Sequence, residues 1–274
     1  MLSPTQRIRV QNHQRFQIVK NKIKSILPRS VFEVLSSLKR IISKKIPDSK
    51  IYINHIAKKK GIEIGGPTPL FRHSLPLYKE IESLDGVNFS NSTIWKGDNK
   101  GHTFNYFKKK MGNQIFAEAT DLTEIKGDSY DFCLSSNCLE HVANPLKALS
   151  EWNRILKNNG VLVLVLPNKI NNFDHNRPTT SFEHILEDYN NNIDEHDLTC
   201  LNEVLELHDL SMDLPAGSFK NFKQRCLDNY NNRGLHHHVF DLDLMEKMIK
   251  FAGFNSVQRN ETTMDFFILA TKNS

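Results

Sequence analysis

The chain is poor in the residues that would staple or anchor it. It has four cysteines in 274 residues, at Cys133, Cys138, Cys200 and Cys226. None forms a C-x-x-C pair, so zinc-ribbon and dithiol chemistry are excluded, and reduced thiols in a cytosolic protein are expected. No apolar run is long enough to span a bilayer; the longest, Val161 to Leu166, fits a buried strand. The first residues are too polar for a signal peptide. A G-x-G-x-x-G run is also missing, which argues against a dinucleotide enzyme. Acids are scarce at the start: residues 1–60 hold fifteen Lys and Arg but only Glu33 and Asp48, whereas the rest holds 21 basic and 29 acidic residues.

A basic arm therefore precedes a mildly acidic body. Phe16, Val19, Ile23, Ile26 and Leu27, then Val31, Val34, Leu35, Leu38, Ile41 and Ile42, recur at helical spacing. Residues 1–57 are expected as a basic helical segment. Its stripes suit packing on the main domain, a dimer interface, or an anionic membrane face that would make a cytoplasmic protein peripheral. Nothing beyond charge favours nucleic acid.

Residues 58–274 are expected as one domain. Strand patterns at Gly61–Gly65, Gly86–Phe89, Gln114–Ala117, Tyr130–Ser135 and Val161–Leu166 alternate with helical ones at Leu75–Ser83 and after Asn144-Pro145, a capping pair halted by Asn158, Asn159 and Gly160. That rhythm predicts a doubly wound, mostly parallel sheet. Residues 168–240 interrupt it. They are polar and hold seven of the twelve histidines, and such an insertion suits a substrate-binding cap. The rhythm resumes with a helix at Leu242–Phe251 and a strand at Phe266–Ala270.

The chemistry-bearing stretches lie at the predicted strand ends. Glu63-Ile64-Gly65-Gly66-Pro67 allows close backbone approach, and a following helix could turn its N-terminus to a carboxylate. After the second strand candidate, Asn88 or nearby Asp85 could hold ribose hydroxyls. The stretch from Glu118 to Asp131 reads E-A-T-D-L-T-E-I-K-G-D-S-Y-D; Leu139-Glu140-His141 and E-W-N-R-I-L-K-N-N-G at 151–160 follow. This ordered block resembles the class I methyltransferases that use S-adenosylmethionine, over roughly residues 61–167 plus the C-terminal helix and strand. The resemblance implies a seven-stranded Rossmann-like sheet. It also implies that Glu63, Gly65 and Gly66 line the methionine end of the cofactor, that Asn88 or Asp85 takes the ribose, that Glu118 and the Ala119 backbone face adenine, and that Ser136 lies near the methyl group. The first loop departs from the family pattern: Pro67 and Pro69 stiffen it, and Asn88 stands where the ribose acid is usual. A non-catalytic subunit docking to glycan-assembly machinery is the reading that these departures would support.

A narrower likeness, carried by Asn88-Phe89-Ser90, residues 173–180, Glu183-His184 and residues 236–240, is to methyltransferases of bacterial surface-polysaccharide synthesis. It implies O-methylation of a sugar in a glycan precursor, with a small molecule, lipid or protein as the alternative acceptors. A hydroxyl acceptor needs a base, and His141, His237 and His238 are the candidates; each could instead be a hydrogen-bonded structural histidine. Asp174, His175, Arg177 and His236 are candidates for acceptor binding, with a structural salt bridge the alternative for Arg177. Asp174, His175, Glu183, His184 and Asp188 could ligate a divalent cation, but no specific ligand spacing supports it, so no metal is expected.

Overall fold

The computed structural model describes residues 46–93, 97–98 and 101–274, and the stripes expected within residues 1–45 lie outside them. The described body runs from Ile46 to Ser274. It therefore begins earlier than residue 58, because α1 (Ser49–Ile56) buries Tyr52 and Ile56 completely in its core.

The sheet has eight strands: β1 (Lys60–Ile64), β2 (Ser83–Asn88), β5 (Thr103–Phe107), β6 (Lys110–Phe116), β7 (Tyr130–Ser136), β8 (Leu156–Pro167), β9 (Phe254–Glu261) and β10 (Asp265–Lys272). Their order is β5-β6-β2-β1-β7-β8-β10-β9, and a separate ribbon pairs β3 (Ser92–Thr93) with β4 (Gly97–Asp98). β6, β2, β1, β7 and β8 run parallel; β10 is antiparallel to β8, and β5 is antiparallel to β6. This is the expected Rossmann-like α/β sheet with one strand more than expected, because residues 103–107 fold back on β6 as a hairpin.

Helices cover both faces. Successive side chains on a strand point to opposite faces, so β8 sends Leu162, Leu164 and Leu166 into one core and Val161, Val163 and Val165 into the other. A strand buried on both sides is a continuous apolar run for this reason. On the first face lie α2 (Pro145–Ile155) and α7 (Leu242–Phe251). Asn144 caps α2, its side chain accepting from Lys147 N–H at 3.1 Å, and Leu146, Leu149, Trp152 and Ile155 are its buried stripe.

Two local expectations change. Residues 75–82 are turns and bends rather than a helix, and Ser83 opens β2. Pro76 lacks an amide hydrogen, and the Lys110 ammonium donates to the carbonyls of Tyr78, Lys79 and Ile81, which a helix would have paired internally. After β1 there is no long helix to aim its N-terminus at a ligand. Gly66–Pro67 is cis, and only the short π-turn Leu70–Ser74 follows. In addition, α2 ends at Ile155, and residues 158–160 belong to β8.

The insertion folds into α3 (Phe182–Asn190), α4 (Leu201–Leu207), α5 (Phe219–Leu227) and α6 (Asn229–Asn232). It has a small apolar cluster of its own around Val204, Phe222, Cys226 and Leu235. Among the described residues, no helix is long and apolar enough to cross a membrane.

Candidate active site

Strand order reverses between β1 and β7, and ligands of open α/β sheets bind at the carboxyl edge of such a switch point. A crevice opens there. Ile64, Gly65, Val87 and Val142 form its apolar side, while Asn88 and Glu118 bring polar groups from the ends of β2 and β6. Gly65 has φ 79, and a Cβ on it would lie 2.7 Å from the Cys138 sulfur, so the turn accepts no side chain without displacement. The Asn88 amide donates to the carbonyl of Gly66 and to Gln114 Oε1, both at 3.2 Å, which joins the first loop to the second strand.

Several candidates lie in this wall and others do not. Gly65, Asn88, Glu118, Ala119 and His141 line the crevice. Asp85 does not: its carboxylate accepts from Asn113 N–H at 2.7 Å and from the Tyr130 hydroxyl at 2.9 Å, so Asn88 is the ribose candidate that faces the space. Glu63 is wholly buried beneath the loop. Its carboxylate oxygens lie 2.7 and 2.8 Å from the Tyr78 hydroxyl, which in turn accepts Thr68 N–H at 2.7 Å. It braces the loop from below, and its side chain also fills the space that a Cβ on Gly66 would need. Ser136 is buried in β7 and lines neither this crevice nor the cavity beside it.

The Glu118–Leu122 stretch is fixed by the motif that follows it. Glu151 accepts Leu122 N–H, Arg154 pairs with Glu151 and donates to the carbonyls of Leu122 and Ile125, and Trp152 donates to the Ala119 carbonyl. The insertion contributes two residues that spacing gave no reason to single out. Arg233 pairs with Glu118 and stacks over Phe89 and Tyr230, and Glu195 closes the inner side. Burial pushes the Glu195 carboxyl up to about 7.

A second cavity of about 680 Å³ adjoins the crevice, and Asn137 and His141 line both. Asn137, at φ 50, turns the chain out of β7, a conformation that asparagine tolerates better than most residues. Glu140, Phe173, Asp213, Arg225, His236 and Asp265 form much of the remaining wall. Burial raises Glu140 to about 7 and Asp265 to about 6.

The histidines separate by environment. His141 has Nδ1 3.2 Å from the Leu235 carbonyl, and its ring centre is 4.5 Å from that of His236. Burial and then the neighbouring His236 hold it well below the usual imidazole range, hence neutral. His236 loses some basicity to burial, but the Asp174 carboxylate 2.5 Å from its Nδ1 outweighs this and raises it. His237 and His238 line neither cavity. His237 Nε2 lies 3.0 Å from the Asn229 amide and His238 Nε2 lies 3.1 Å from the Ala143 carbonyl. Burial lowers them to about 4 and about 3, so the structure makes both neutral structural groups rather than bases.

Of the acceptor candidates only His236 borders the cavity. Arg177 is buried at 2% exposure and pairs with Asp174 at 3.0 Å and Glu203 at 2.8 Å. It also donates to the carbonyls of His236 and His237, so it pins that segment instead of meeting a ligand. Asp174 is spent on Arg177 and His236, and His175 faces Asp209 at 3.0 Å. The possible ligands Asp174, His175, Glu183, His184 and Asp188 do not assemble as one set. His184 and Asp188 come together with His238, while a different trio, Glu140, His141 and His236, meets in the second cavity.

A family model described as a methyltransferase domain matches residues 74–164, from the π-turn to the middle of β8. That stretch, about a third of the chain, is thus similar to a methyltransferase domain, and it includes β2, β6 and β7. A 44-residue stretch is 54% identical to an uncharacterized protein of Methanocaldococcus jannaschii, covering 16% of this chain and 19% of that relative's length. Similar solved structures include an S-adenosylmethionine-dependent methyltransferase from Mesorhizobium loti, 14% identical with TM-score 0.48, covering 82% of this chain and 96% of that one. Another is from Methanosarcina mazei, 16% identical with TM-score 0.47, covering 84% and 99%.

Proposed function

We propose that the protein transfers a methyl group from S-adenosylmethionine to a hydroxyl of a sugar-like acceptor. The observation that carries this reading is the pair of adjoining cavities with His141 and Asn137 in their shared wall. The crevice suits the nucleoside part of the cofactor: an apolar slot ends in the Asn88 amide and the Glu118 carboxylate, both able to meet hydroxyl or amino groups. When bound there, S-adenosylmethionine supplies an electrophilic methyl group on its sulfonium.

The chain's own task lies on the acceptor side. The second cavity falls within the size range of small-ligand sites. Its wall mixes Asn137, Asp213, Arg225 and Asp265 with the aromatic Phe173, which suits a molecule with hydroxyls at its edges and C–H groups between. A lipid acceptor would favour an apolar groove instead. An attacking hydroxyl must lose its proton, and neutral His141, in the wall shared by the two cavities, is the candidate general base. Holding both partners there and excluding water would supply much of the rate. Association with a membrane face where glycan precursors gather is proposed from the basic segment's composition alone.

Calorimetric titration with S-adenosylhomocysteine tests the cofactor half. Wild type should bind, and Gly65→Arg should lose binding while still unfolding in one cooperative transition, at a lower temperature because a side chain strains this turn. If wild type does not bind, a docking subunit becomes the better reading. A panel of sugar, lipid and peptide acceptors with labelled cofactor tests the other half; labelling confined to lipid or peptide would end the sugar assignment.

A further inference from the structure

Glu140 and His141 precede His236 by 96 and 95 residues in the sequence, yet each of the three offers a ligand atom within 4.8 Å of the others. Glu140 and His141 lie on the single 3-10 turn after β7, and His236 lies in the segment between α6 and α7. All three line the second cavity. Glu140 is only 1% exposed, and its Oε2 has no hydrogen-bond partner among the described residues. A buried carboxylate oxygen without a partner is costly, and its persistence calls for a missing one.

The two rings are held as metal-bound histidines are held. Nδ1 of His236 meets the Asp174 carboxylate at 2.5 Å, and Asp174 is itself fixed by Arg177. Nδ1 of His141 meets the Leu235 carbonyl at 3.2 Å. A carboxylate or carbonyl on one ring nitrogen keeps the proton there and makes the other nitrogen the ligand. Two imidazoles and one carboxylate beside an open cavity form the donor set of a divalent first-row ion with free coordination positions.

We propose that Glu140, His141 and His236 bind a divalent transition-metal ion in the wall of the second cavity. Its catalytic role rests on the methyl-transfer reading, whereas its binding does not. There the ion would coordinate the acceptor hydroxyl and lower its pKa, taking over the activation otherwise assigned to His141 and leaving the proton to pass to water in the cavity. The other trio lacks this arrangement: His238 Nε2 is engaged with the Ala143 carbonyl, and neither His238 nor Asp188 lines the cavity.

The test is titration of the metal-stripped full chain with Co²⁺, read by visible absorption and equilibrium dialysis. One Co²⁺ per chain should bind, with d–d bands. Glu140→Gln and His236→Ala should each weaken it at least about tenfold, and His184→Ala should leave it unchanged. Titration of each variant with S-adenosylhomocysteine shows whether it has folded. Absence of stoichiometric Co²⁺ binding in wild type, or equal binding in folded Glu140→Gln and His236→Ala, overturns the proposal. Co²⁺ binding without S-adenosylhomocysteine binding would uphold the ion site and remove the methyl-transfer reading.

Discussion

At the scale of single residues, the two cavities rest on side chains that do not line them. Arg177 is the clearest. It lies in the insertion, yet it holds the carbonyls of His236 and His237 and the carboxylate that orients the His236 ring. Removing one partner from a buried ion pair typically costs about 3–5 kcal/mol, because the other is left charged and unpaired. Arg177→Met should therefore lower stability by roughly that amount in urea unfolding, and Arg177→Lys, which keeps the charge but loses the planar fork, should recover only part of it. Equal stability of Arg177→Met and wild type would mean that Asp174 finds another partner. The role of Arg177 was open in the sequence, where a salt bridge and an acceptor contact were equal readings. The difference is set by Glu203 and two backbone carbonyls, which no local pattern brings next to residue 177. The same holds for the histidine triplet. Composition made it conspicuous, but only burial separates His236 at the cavity wall from His237 and His238 behind it.

At the scale of elements, legibility follows how local the determining forces are. The start of α2 was readable because Asn144 and Pro145 act on the first turn of their own helix. The turns at 75–82 were not, because Lys110, from β6, takes the carbonyls that a helix would use. β8 was readable from composition, since burial on both faces requires an unbroken apolar run. Even Asn144 has a second duty that the pattern did not show. Its amide group donates to the carbonyls of Asp188 at 3.0 Å and Ile193 at 3.4 Å, tying α2 to the end of α3. Asn144→Asp keeps the cap and loses these donors, while Asn144→Ala loses both. Chemical denaturation should therefore rank wild type above Asn144→Asp above Asn144→Ala, the last step being about 1 kcal/mol for the cap. Equal loss in the two variants would assign the whole effect to the tie between helices.

For the whole molecule, buried titratable groups give opposing dependences on pH. His237 and His238 have folded values near 4 and 3, below the usual 6.5. The stability they allow is complete above pH 6.5 and is lost as pH falls through that range towards their folded values. Glu140 and Glu195 are raised to about 7 from 4.5, so their contribution is complete below pH 4.5 and is lost as pH rises through 7. Thermal stability should peak between these limbs. His238→Gln, which retains a donor for the Ala143 carbonyl, should flatten the acid limb, and Glu195→Gln the alkaline one. Unchanged slopes in both variants would mean that other groups govern the profile. Much of the molecule's plan was legible: a mostly parallel sheet and its interruption at 168–240. The lining of the second cavity was not, because the insertion supplies much of it from Phe173, Asp213, Arg225 and His236, whose neighbours are remote in sequence.

The short stretch from Arg233 to His236 has a consequence for the order of events. Arg233 borders the crevice at the switch point, whereas Gly234 and His236 border the other cavity, so three peptide units form a partition with a face in each. Whatever steadies that partition from one side prepays part of the ordering needed on the other. The two ligands should then bind cooperatively, and linkage requires the effect to be mutual. Co²⁺ affinity measured with and without S-adenosylhomocysteine, and the converse, should shift by one common factor greater than one; a factor of one would mean that the partition is already rigid and that the partners arrive in random order.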